Sequence, residues 1–334
     1  MMIVLIGALA ILSEFPGKAA PGTTTATTTP PAPTTSPPPT FVTPGSSAGA
    51  STYVSLNYQV TYPEPGSQLC VPSASGQSCG PRVIQLGAFY PGKAIGSNPV
   101  PYRGYDHLGL VIFSPGYNEF YSAYAPIINA MVSAGFVVVA INFPRTNPNA
   151  VGGLYEADIV NQPGDITAAI NWALAQDAVS SSPLYQLIDS SKVAAVGQSD
   201  GGDTTLALAY NSCCIDSRVQ AAVIFSGAEL ASFPGSYFPA GVKVPLLVVQ
   251  GSADTINPPA ASSQIFAGAP APKYLLWLLG AEHLEPYAAP NQYESITAAV
   301  TADFLKAYLN GDAAALAAMP SAGSVAGVAT FSSG

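Results

Sequence analysis

Three residues have the types and the chain order that hydrolysis by a serine nucleophile requires: Ser199, Asp254 and His283. Ser199 is the centre of Gly197-Gln198-Ser199-Asp200-Gly201, a G-x-S-x-G pattern between the apolar run KVAAV and the stretch DTTLALAY. A tight turn from a strand into a helix strains the serine backbone and lifts its hydroxyl clear of the sheet. The pattern therefore predicts a nucleophilic serine at a helix N-terminus, where negative charge is favoured.

The same five-residue pattern occurs twice more, at 45–49 and at 76–80. Neither copy has a strand before it and a helix after it, so the motif alone is a weak signal and its context decides. The alternative interpretation of Ser199 is an ordinary helix-capping serine.

A serine hydroxyl needs a base to take its proton, and histidine is the usual one. The chain has two histidines. His107 precedes the apolar run LGLVIF and is interpreted as a strand-entry residue. His283, in GAEHLEPY, follows the last inner strand and fits the chain order serine, acid, histidine. The alternative interpretation of His283 is a polar loop residue.

The third group must accept a hydrogen bond from the imidazole and fix its tautomer. Asp254 follows the apolar run VPLLVVQ in the turn GSADTINPP and is the preferred acid. Glu229, after AAVIFSG, is the alternative acid, and Glu282 is adjacent to the base and badly placed to reach its far nitrogen. Asp254 could instead be an Asx-type turn residue.

Two backbone amides are expected to stabilise a developing oxyanion. One is the amide of Asp200 at the start of the helix, and the other is that of Tyr117 in the loop SPGYNEF, where Gly116 allows close backbone approach. The ring of Tyr117 can form one wall of an acyl site. The alternative interpretation of this loop is a plain Pro-Gly turn.

Alternating apolar runs and helical stretches from about residue 51 onward predict an α/β fold: a mostly parallel central sheet with helices on both faces, because its inner strands are apolar throughout. Strands are predicted at 52–61, 82–90, 108–114, 136–143, 192–197, 219–225, 244–250 and 273–279, the first two as a hairpin. Helices are predicted at 120–134, 165–176, 200–210, 259–267 and 291–309.

Two loops rich in Gly, Pro and aromatic residues are expected to shape the pocket. They are 144–163 and 226–243, and the predicted substrate-binding residues are Gln198, Tyr155, Phe233, Tyr237 and Phe238. Neither loop offers a cationic clamp for a carboxylate or a phosphate, which favours a neutral or apolar acyl ester.

The sequence resembles the α/β-hydrolase superfamily and, within it, the actinobacterial cutinase, polyester-hydrolase and platelet-activating-factor-acetylhydrolase-like group. The resemblance spans roughly residues 80–310. It implies that Ser199 is the nucleophile, His283 the general base and Asp254 the orienting acid, with Tyr117 and Asp200 as the oxyanion pair. The stretches that carry it are FYPG, VIFSPGY, SAGFVVVAINFPRTN, QPGDITAAINWAL, VGQSDGG, QGSADTINPP and GAEHLEP.

The residues that flank Ser199 depart from that group, whose motif often reads G-[WH]-S-[ML]-G-G. Gln198 and Asp200 stand there instead. A carboxylate at Asp200 would oppose the oxyanion if it faced the site, which argues against polyester activity. Asp200 and Asp203 could instead serve the helix N-terminus.

Composition excludes several classes of function. With 10 Lys+Arg against 19 Asp+Glu, a net charge of −9 and a pI near 4.5, the chain lacks the basic footprint of a nucleic-acid-binding protein. Two histidines and no CxxC pair make a metal site a weak hypothesis, and neither metal nor cofactor is expected. The 334 residues, 49% of them hydrophobic, are enough for a large core, and the oligomeric state stays open.

The chain divides into four predicted parts. Residues 1–20 hold an apolar run that resembles a signal or anchor segment, too short to span a bilayer alone. Residues 21–50 form a Pro/Thr-rich linker, 51–312 a catalytic domain and 313–334 an Ala/Ser/Gly-rich tail. The charge-free stretch 120–144 is interpreted as a buried helix and strand, with no stable membrane span.

Four cysteines leave three disulfide connectivities open. Cys70 and Cys79 flank a Ser/Gly-rich turn, so a local disulfide is geometrically easy in an exported protein. Cys213 and Cys214 are adjacent and could be a vicinal pair, two buried thiols or partners of the first two.

The leading hypothesis is an exported or envelope-tethered serine ester hydrolase that acts through an acyl-enzyme on a small-molecule or lipid-like ester. One alternative is an exported serine peptidase or amidase with the same triad. Another, suggested by the Pro/Thr linker, is a non-catalytic wall-associated module with a vestigial triad.

Overall fold

The apolar runs of the sequence become strands, and the stretches between them become helices. The computed structural model describes residues 52–53, 56–61, 68–73, 76–95, 98–101 and 107–334. The strands are β1 (Thr52–Tyr53), β2 (Leu56–Thr61), β3 (Gln68–Ser73), β4 (Gly76–Pro81), β5 (Val83–Phe89), β6 (Pro91–Ile95), β7 (Asn98–Pro101), β8 (Leu108–Ser114), β9 (Val137–Asn142), β10 (Ile188–Gln198), β11 (Val219–Phe225), β12 (Leu246–Gly251), β13 (Lys273–Leu278) and β14 (Ala329–Ser333). The helices are α1 (Ala125–Ser133), α2 (Gln162–Asp177), α3 (Asp200–Tyr210), α4 (Pro259–Gly268), α5 (Glu285–Ala288), α6 (Gln292–Asn310) and α7 (Ala313–Gly323), with 3-10 helices at Tyr121–Tyr124 and Glu156–Asn161.

The main sheet has nine strands in the order β14-β13-β12-β11-β10-β8-β9-β5-β2. The inner strands from β9 to β13 are parallel to their neighbours, whereas β14, β5 and β2 join antiparallel at the two margins. The prediction of a mostly parallel sheet is confirmed. The two predicted leading strands pair antiparallel, as β2 and β5. They do not form a simple hairpin, because the paired strands β3 and β4 lie in the chain between them.

Helices cover both faces of this sheet, as predicted. Along β8, Leu110 and Ile112 pack into the cluster that includes α2, α3 and α4, while Val111 and Phe113 pack on the other side with α1, α6 and α7. All four side chains are fully buried. Burial of one such side chain contributes about 1.5–3 kcal/mol. The apolar character of both strand faces therefore follows from two separate helix layers.

The charge-free stretch 120–144 forms part of the folded core. It contains α1 and β9, which match the predicted buried helix and strand. Among the described residues, none of the helices combines the length and apolar character needed to cross a membrane.

The domain extends beyond the predicted boundary at residue 312. Gly311 ends α6 in the left-handed conformation, and Asp312 then caps α7 by accepting hydrogen bonds from two amides of its first turn. Beyond α7, β14 pairs with β13, and Phe331 stacks on Tyr274 at 5.6 Å. Residues 313–334 thus complete one margin of the sheet. The Ala/Ser/Gly-rich composition of this segment suggested a tail, because composition alone does not show the helix caps at Gly311 and Asp312.

The predicted signal segment and linker, 1–50, lie outside the described residues. The cysteines are partly described. Cys213 and Cys214 form a vicinal disulfide, one of the alternatives that the sequence left open. The strand register places Cys70 directly opposite Cys79, although the side chains of that pair lie outside the described part of the chain. Their disulfide stays a prediction.

A buried ionic cluster anchors the segment 156–165 to the start of β5. The guanidinium of Arg82 donates to both carboxylate oxygens of Asp158, at 2.9 and 2.7 Å, and to both oxygens of Asp165. All three side chains are at most 7% exposed. Arg82 is thus the cation that compensates two carboxylates removed from water.

We predict that Arg82→Met destabilises the fold by about 3–5 kcal/mol, because it leaves two buried carboxylates uncompensated. Urea unfolding followed by circular dichroism measures the loss. Lys192→Met is the matched control, since Lys192 pairs with Asp189 at 3.3 Å on the surface and such pairs contribute about 0–1 kcal/mol. Equal losses in the two variants would contradict the role given to Arg82.

Candidate active site

Ser199 lies on a sharp turn between β10 and α3. Its φ of 54° and ψ of −125° fall in a region that side chains rarely adopt. The flanking glycines make the turn possible. A Cβ at Gly197 would collide with the carbonyl oxygen of Gly201, and one at Gly201 would collide with that of Ser114. The motif context predicted this strand-turn-helix geometry. The copy at 76–80 instead lies in β4, and the copy at 45–49 lies outside the described residues.

Asp254 and His283 are in direct contact. Nδ1 of His283 lies 2.7 Å from Oδ2 of Asp254, whose side chain is fully buried. Gln250 also donates to Oδ2, at 3.1 Å, and the amides of Ile256 and Asn257 donate to Oδ1. Burial alone would raise the pKa of Asp254, but His283 and these amides lower it below its ordinary value. Asp254 is therefore an ionised acceptor that orients the imidazole.

The loops that carry these two residues are bound to each other. The amide of Ala253 donates to the carbonyl of Ala281 at 2.9 Å, and the backbone amide of Ser252 donates to the carbonyl of Leu278 at 2.8 Å. A Cβ at Gly251 would collide with the Ala281 oxygen. Because both loops follow neighbouring parallel strands, β12 and β13, the acid and the histidine meet at one edge of the sheet.

The alternative acids lie elsewhere. Glu229 is bonded to Gln264 in α4, and the backbone amide of Glu282 donates to Glu285. His107 is exposed and directly precedes β8, which agrees with its interpretation as a strand-entry residue.

The other ring nitrogen of His283 contacts Gln198, the residue before Ser199. The side-chain Nε2 of Gln198 lies 3.2 Å from Nε2 of His283 and also donates to the His283 carbonyl at 3.2 Å. Oε1 of Gln198 accepts from the hydroxyl of Tyr124 at 2.7 Å. Gln198, expected to bind substrate, is therefore bonded to the predicted base.

The backbone amides in the turn after β8 differ in their hydrogen-bond partners. Gly116 donates to the hydroxyl of Tyr124, Asn118 to the carbonyl of Thr146, and Glu119 to that of Gly116. Within the described part of the chain, the amide of Tyr117 has no such acceptor. The amide of Asp200 belongs to the first turn of α3, where helical amides lack internal partners. These are the two predicted oxyanion donors.

Asp200 follows Ser199 directly, is only 8% exposed, and interacts electrostatically with Tyr117 and His283. Its Oδ2 is buried and accepts no hydrogen bond from the described residues. Burial, together with the negative charge of Glu156, raises the pKa of Asp200 to about 7, although His283 opposes the shift. Burial also raises the pKa of Asp203, which accepts from the amide of Ala228 at 2.5 Å. Near pH 7, Asp200 is thus divided between a neutral and a charged form.

The aromatic residues of the two predicted pocket loops differ in their surroundings. Tyr155 is 54% exposed, and its ring lies 5.1 Å below the guanidinium of Arg145. Phe233 is 2% exposed and packs with buried side chains of 159 and 207. The hydroxyl of Tyr237 accepts from the amide of residue 230, and the ring of Phe238 packs on that of Tyr210. Of these four aromatic residues, only Tyr155 has a largely exposed ring.

Two residues of the site were missed by sequence reasoning. Tyr124, which bonds Gln198, lies in the charge-free stretch 120–144, where nothing distinguishes it from other core aromatics. Gln250, which bonds Asp254, could have been suspected because it is the polar end of an otherwise apolar strand. No group of three metal-ligating side chains occurs among the residues that the structure describes.

Comparisons with known proteins agree with this geometry. Residues 92–316 match the model of a family described as PET hydrolase-like. The chain belongs to this family. The matched range contains all of the site residues described above, from Gly116 to His283, and confirms the resemblance to the cutinase and polyester-hydrolase group.

Two relatives show how distant the similarity is. Cutinase 2 of Thermobifida cellulosilytica is 30% identical over 210 residues, which are 61% of this chain and 70% of that protein. Cutinase cut1 of Thermobifida fusca is also 30% identical over 210 residues, but the match covers 57% of its length.

We predict that the Asp200 carboxylate lowers activity as the pH rises through about 7, because ionisation places a negative charge near the developing oxyanion. The ratio of kcat/KM for Asp200→Asn to that of the wild type is measured with a neutral ester. It should be near one at about pH 5 and rise to about three- to tenfold at about pH 9. The matched control, Asp189→Asn on the surface, should give a constant ratio. A constant ratio for Asp200→Asn would contradict this account.

Proposed function

We propose that this protein hydrolyses carboxylic esters through an acyl-enzyme formed on Ser199. The observation that carries the proposal is the 2.7 Å hydrogen bond between Nδ1 of His283 and Asp254, at the same sheet edge as the strained turn of Ser199. A carboxylate that holds Nδ1–H leaves Nε2 as the proton acceptor that a serine nucleophile needs.

The proposed reaction has two half-reactions, and in each of them His283 acts first as a base and then as an acid. Nε2 of His283 takes the hydroxyl proton as Oγ of Ser199 attacks the ester carbonyl. The amides of Tyr117 and Asp200 stabilise the oxyanion, and His283 then gives the proton to the leaving alcohol. A water molecule repeats the sequence on the acyl-enzyme. Ionised Asp254 stabilises the imidazolium of His283 in both half-reactions.

The surroundings of the site support a neutral or apolar acyl ester as substrate. Large apolar side chains are exposed near the proposed machinery: Tyr117 is 36% exposed and Ile256 66%. Tyr155, 54% exposed, directly precedes Glu156, whose charge acts on Asp200. Ile256 lies two residues from Asp254, and its amide donates to that carboxylate. Negative charge on Asp200 and Glu156 would repel an anionic substrate. Both relatives described above are named cutinases, which agrees with an ester substrate.

We also propose export from the cytoplasm. The disulfide between Cys213 and Cys214 supports it, because disulfides persist mainly in oxidising compartments. Only 9% of the residues in the chain are charged, and a surface with few charges is common among exported proteins. The apolar run in the predicted signal segment agrees with export.

We predict a burst of p-nitrophenol from p-nitrophenyl acetate, butyrate and octanoate, equal to the amount of enzyme, followed by slower turnover. Ser199→Ala should abolish the burst and lower kcat by at least about 10⁴-fold, because the covalent route is lost. Ser217→Ala, at an exposed serine, is the matched control and should behave as the wild type. Turnover retained in folded Ser199→Ala would reject the assignment, and faster cleavage of matched anilides than of esters would favour an amidase.

We predict that Asp254→Asn lowers kcat by about 10³–10⁴-fold with little change in KM, because an amide at this position donates to Nδ1 and forces the wrong tautomer. Glu229→Gln, at the alternative acid, should leave kcat unchanged. Steady-state kinetics with p-nitrophenyl butyrate measures both variants. A loss below about tenfold in Asp254→Asn would exclude Asp254 as the orienting acid.

A further inference from the structure

A continuous chain of hydrogen bonds joins the proposed oxyanion loop to the proposed acid. The amide of Gly116 donates to the Tyr124 hydroxyl at 3.1 Å, and that hydroxyl donates to Oε1 of Gln198 at 2.7 Å. Nε2 of Gln198 lies 3.2 Å from Nε2 of His283, and Nδ1 lies 2.7 Å from Asp254. Gln198 is the central member of this chain.

The direction of each bond follows from its neighbours. Because the carboxylate of Asp254 can only accept, Nδ1 of His283 carries a proton and Nε2 of the neutral ring carries a lone pair. The side-chain amide of Gln198 therefore donates to Nε2. The same lone pair must receive the proton of Ser199 in the proposed reaction.

Gln198 is held in this position from several sides. Its side chain is 1% exposed, and a Cβ at Gly116 would lie only 2.6 Å from its Oε1. Tyr124 is fully buried, and its ring packs at 5.0 Å on Phe113. The Gln198 amide also donates to the carbonyl of His283. The contact with Nε2 is thus part of a packed arrangement.

We propose that Gln198 is a positioning residue that occupies the proton-accepting nitrogen of His283 in the free enzyme, so that the Ser199 hydroxyl must displace its amide before reaction. This proposal rests on the proposed function. In the exchange, the bond from the Gln198 amide to Nε2 breaks and the bond from the Ser199 hydroxyl to Nε2 forms. The displaced amide keeps the His283 carbonyl, 3.2 Å away, as its acceptor.

This exchange of hydrogen bonds adds the same free-energy cost to the reaction of every substrate. One neutral hydrogen bond corresponds to a factor of about two to ten in an equilibrium or a rate. Removal of the Gln198 donor should therefore increase the reactivity of Ser199 by that factor.

The test measures the rate of covalent labelling of the full chain by an uncharged alkyl fluorophosphonate. In this reaction the Ser199 oxygen forms a bond to phosphorus, fluoride leaves and the hydroxyl proton passes to His283. Gln198→Met, which has similar length but no donor, should be labelled about two to ten times faster than the wild type. The hydroxyl of Tyr124 keeps its bond from Gly116 in this variant.

Gln162→Met is the matched control. Gln162 is also fully buried, and its side chain bonds Thr146 and Thr204 instead of His283. It should be labelled at the wild-type rate. If Gln198→Met does not fold, Gln198→Glu serves in its place, because its carboxylate still accepts from Tyr124. That carboxylate favours the protonated imidazolium, so labelling should be slower at neutral pH and recover as the pH is raised.

A spectroscopic readout separates this role from a merely structural one. The chain has two histidines, so ¹⁵N-labelled imidazole gives few signals, and His107→Asn assigns them. The Nε2 signal of His283 should move toward that of a nitrogen without a hydrogen bond in Gln198→Met and stay in place in Gln162→Met.

Labelling of folded Gln198→Met at or below the wild-type rate, or an unchanged Nε2 signal, would overturn the proposal while leaving the proposed function intact. Failure of the wild type to be labelled at Ser199 would overturn both.

Discussion

The 2.7 Å hydrogen bond between His283 and Asp254 depends on two loops that follow neighbouring parallel strands. Backbone hydrogen bonds from Ser252 and Ala253 hold these loops together, and Gly251 permits their close approach. Four donors converge on the carboxylate of Asp254, which keeps it ionised despite its burial. With the acid fixed in this way, the tautomer of the imidazole is fixed, and so is the chemistry available at Nε2.

Two residues next to Ser199 would oppose the proposed chemistry. Asp200 is proposed to supply an oxyanion donor through its backbone, yet its own carboxyl group interacts electrostatically with Tyr117 and His283 and has a pKa raised to about 7. Gln198 contacts Nε2 of His283, the nitrogen that is proposed to accept the Ser199 proton. Both residues flank Ser199 in the motif, where the group that the sequence resembles often has apolar or aromatic residues. The departures in sequence are therefore also departures in electrostatics and hydrogen bonding.

Much of the framework could be predicted from the sequence because it depends on local patterns. Apolar runs bounded by Gly, Pro and polar residues predicted β8 and β11 with the bounds that the structure has, and the motif context predicted α3 in the same way. The order serine, acid, histidine then placed Asp254 and His283 at strand ends that meet in space.

Other features could not be predicted because they depend on side-chain positions or on subtle caps. The bond between Gln198 and His283 joins residues 85 apart, and the bond between Tyr124 and Gln198 joins residues 74 apart, so neither leaves a local pattern. The 313–334 segment seemed a tail by composition, yet the cap of Asp312 and the pairing of β14 make it part of the sheet. Burial of Phe233 likewise depends on neighbours distant in sequence, Ile159 and Ala207.

A crystal structure of the covalent adduct with an alkyl fluorophosphonate tests the account most directly, because the adduct mimics the tetrahedral intermediate. The account predicts phosphorus bonded to Oγ of Ser199, its free oxygen accepting from the amides of Tyr117 and Asp200, and Nε2 of His283 turned to the serine oxygen. An adduct on another residue, or a phosphoryl oxygen directed away from both amides, would contradict it.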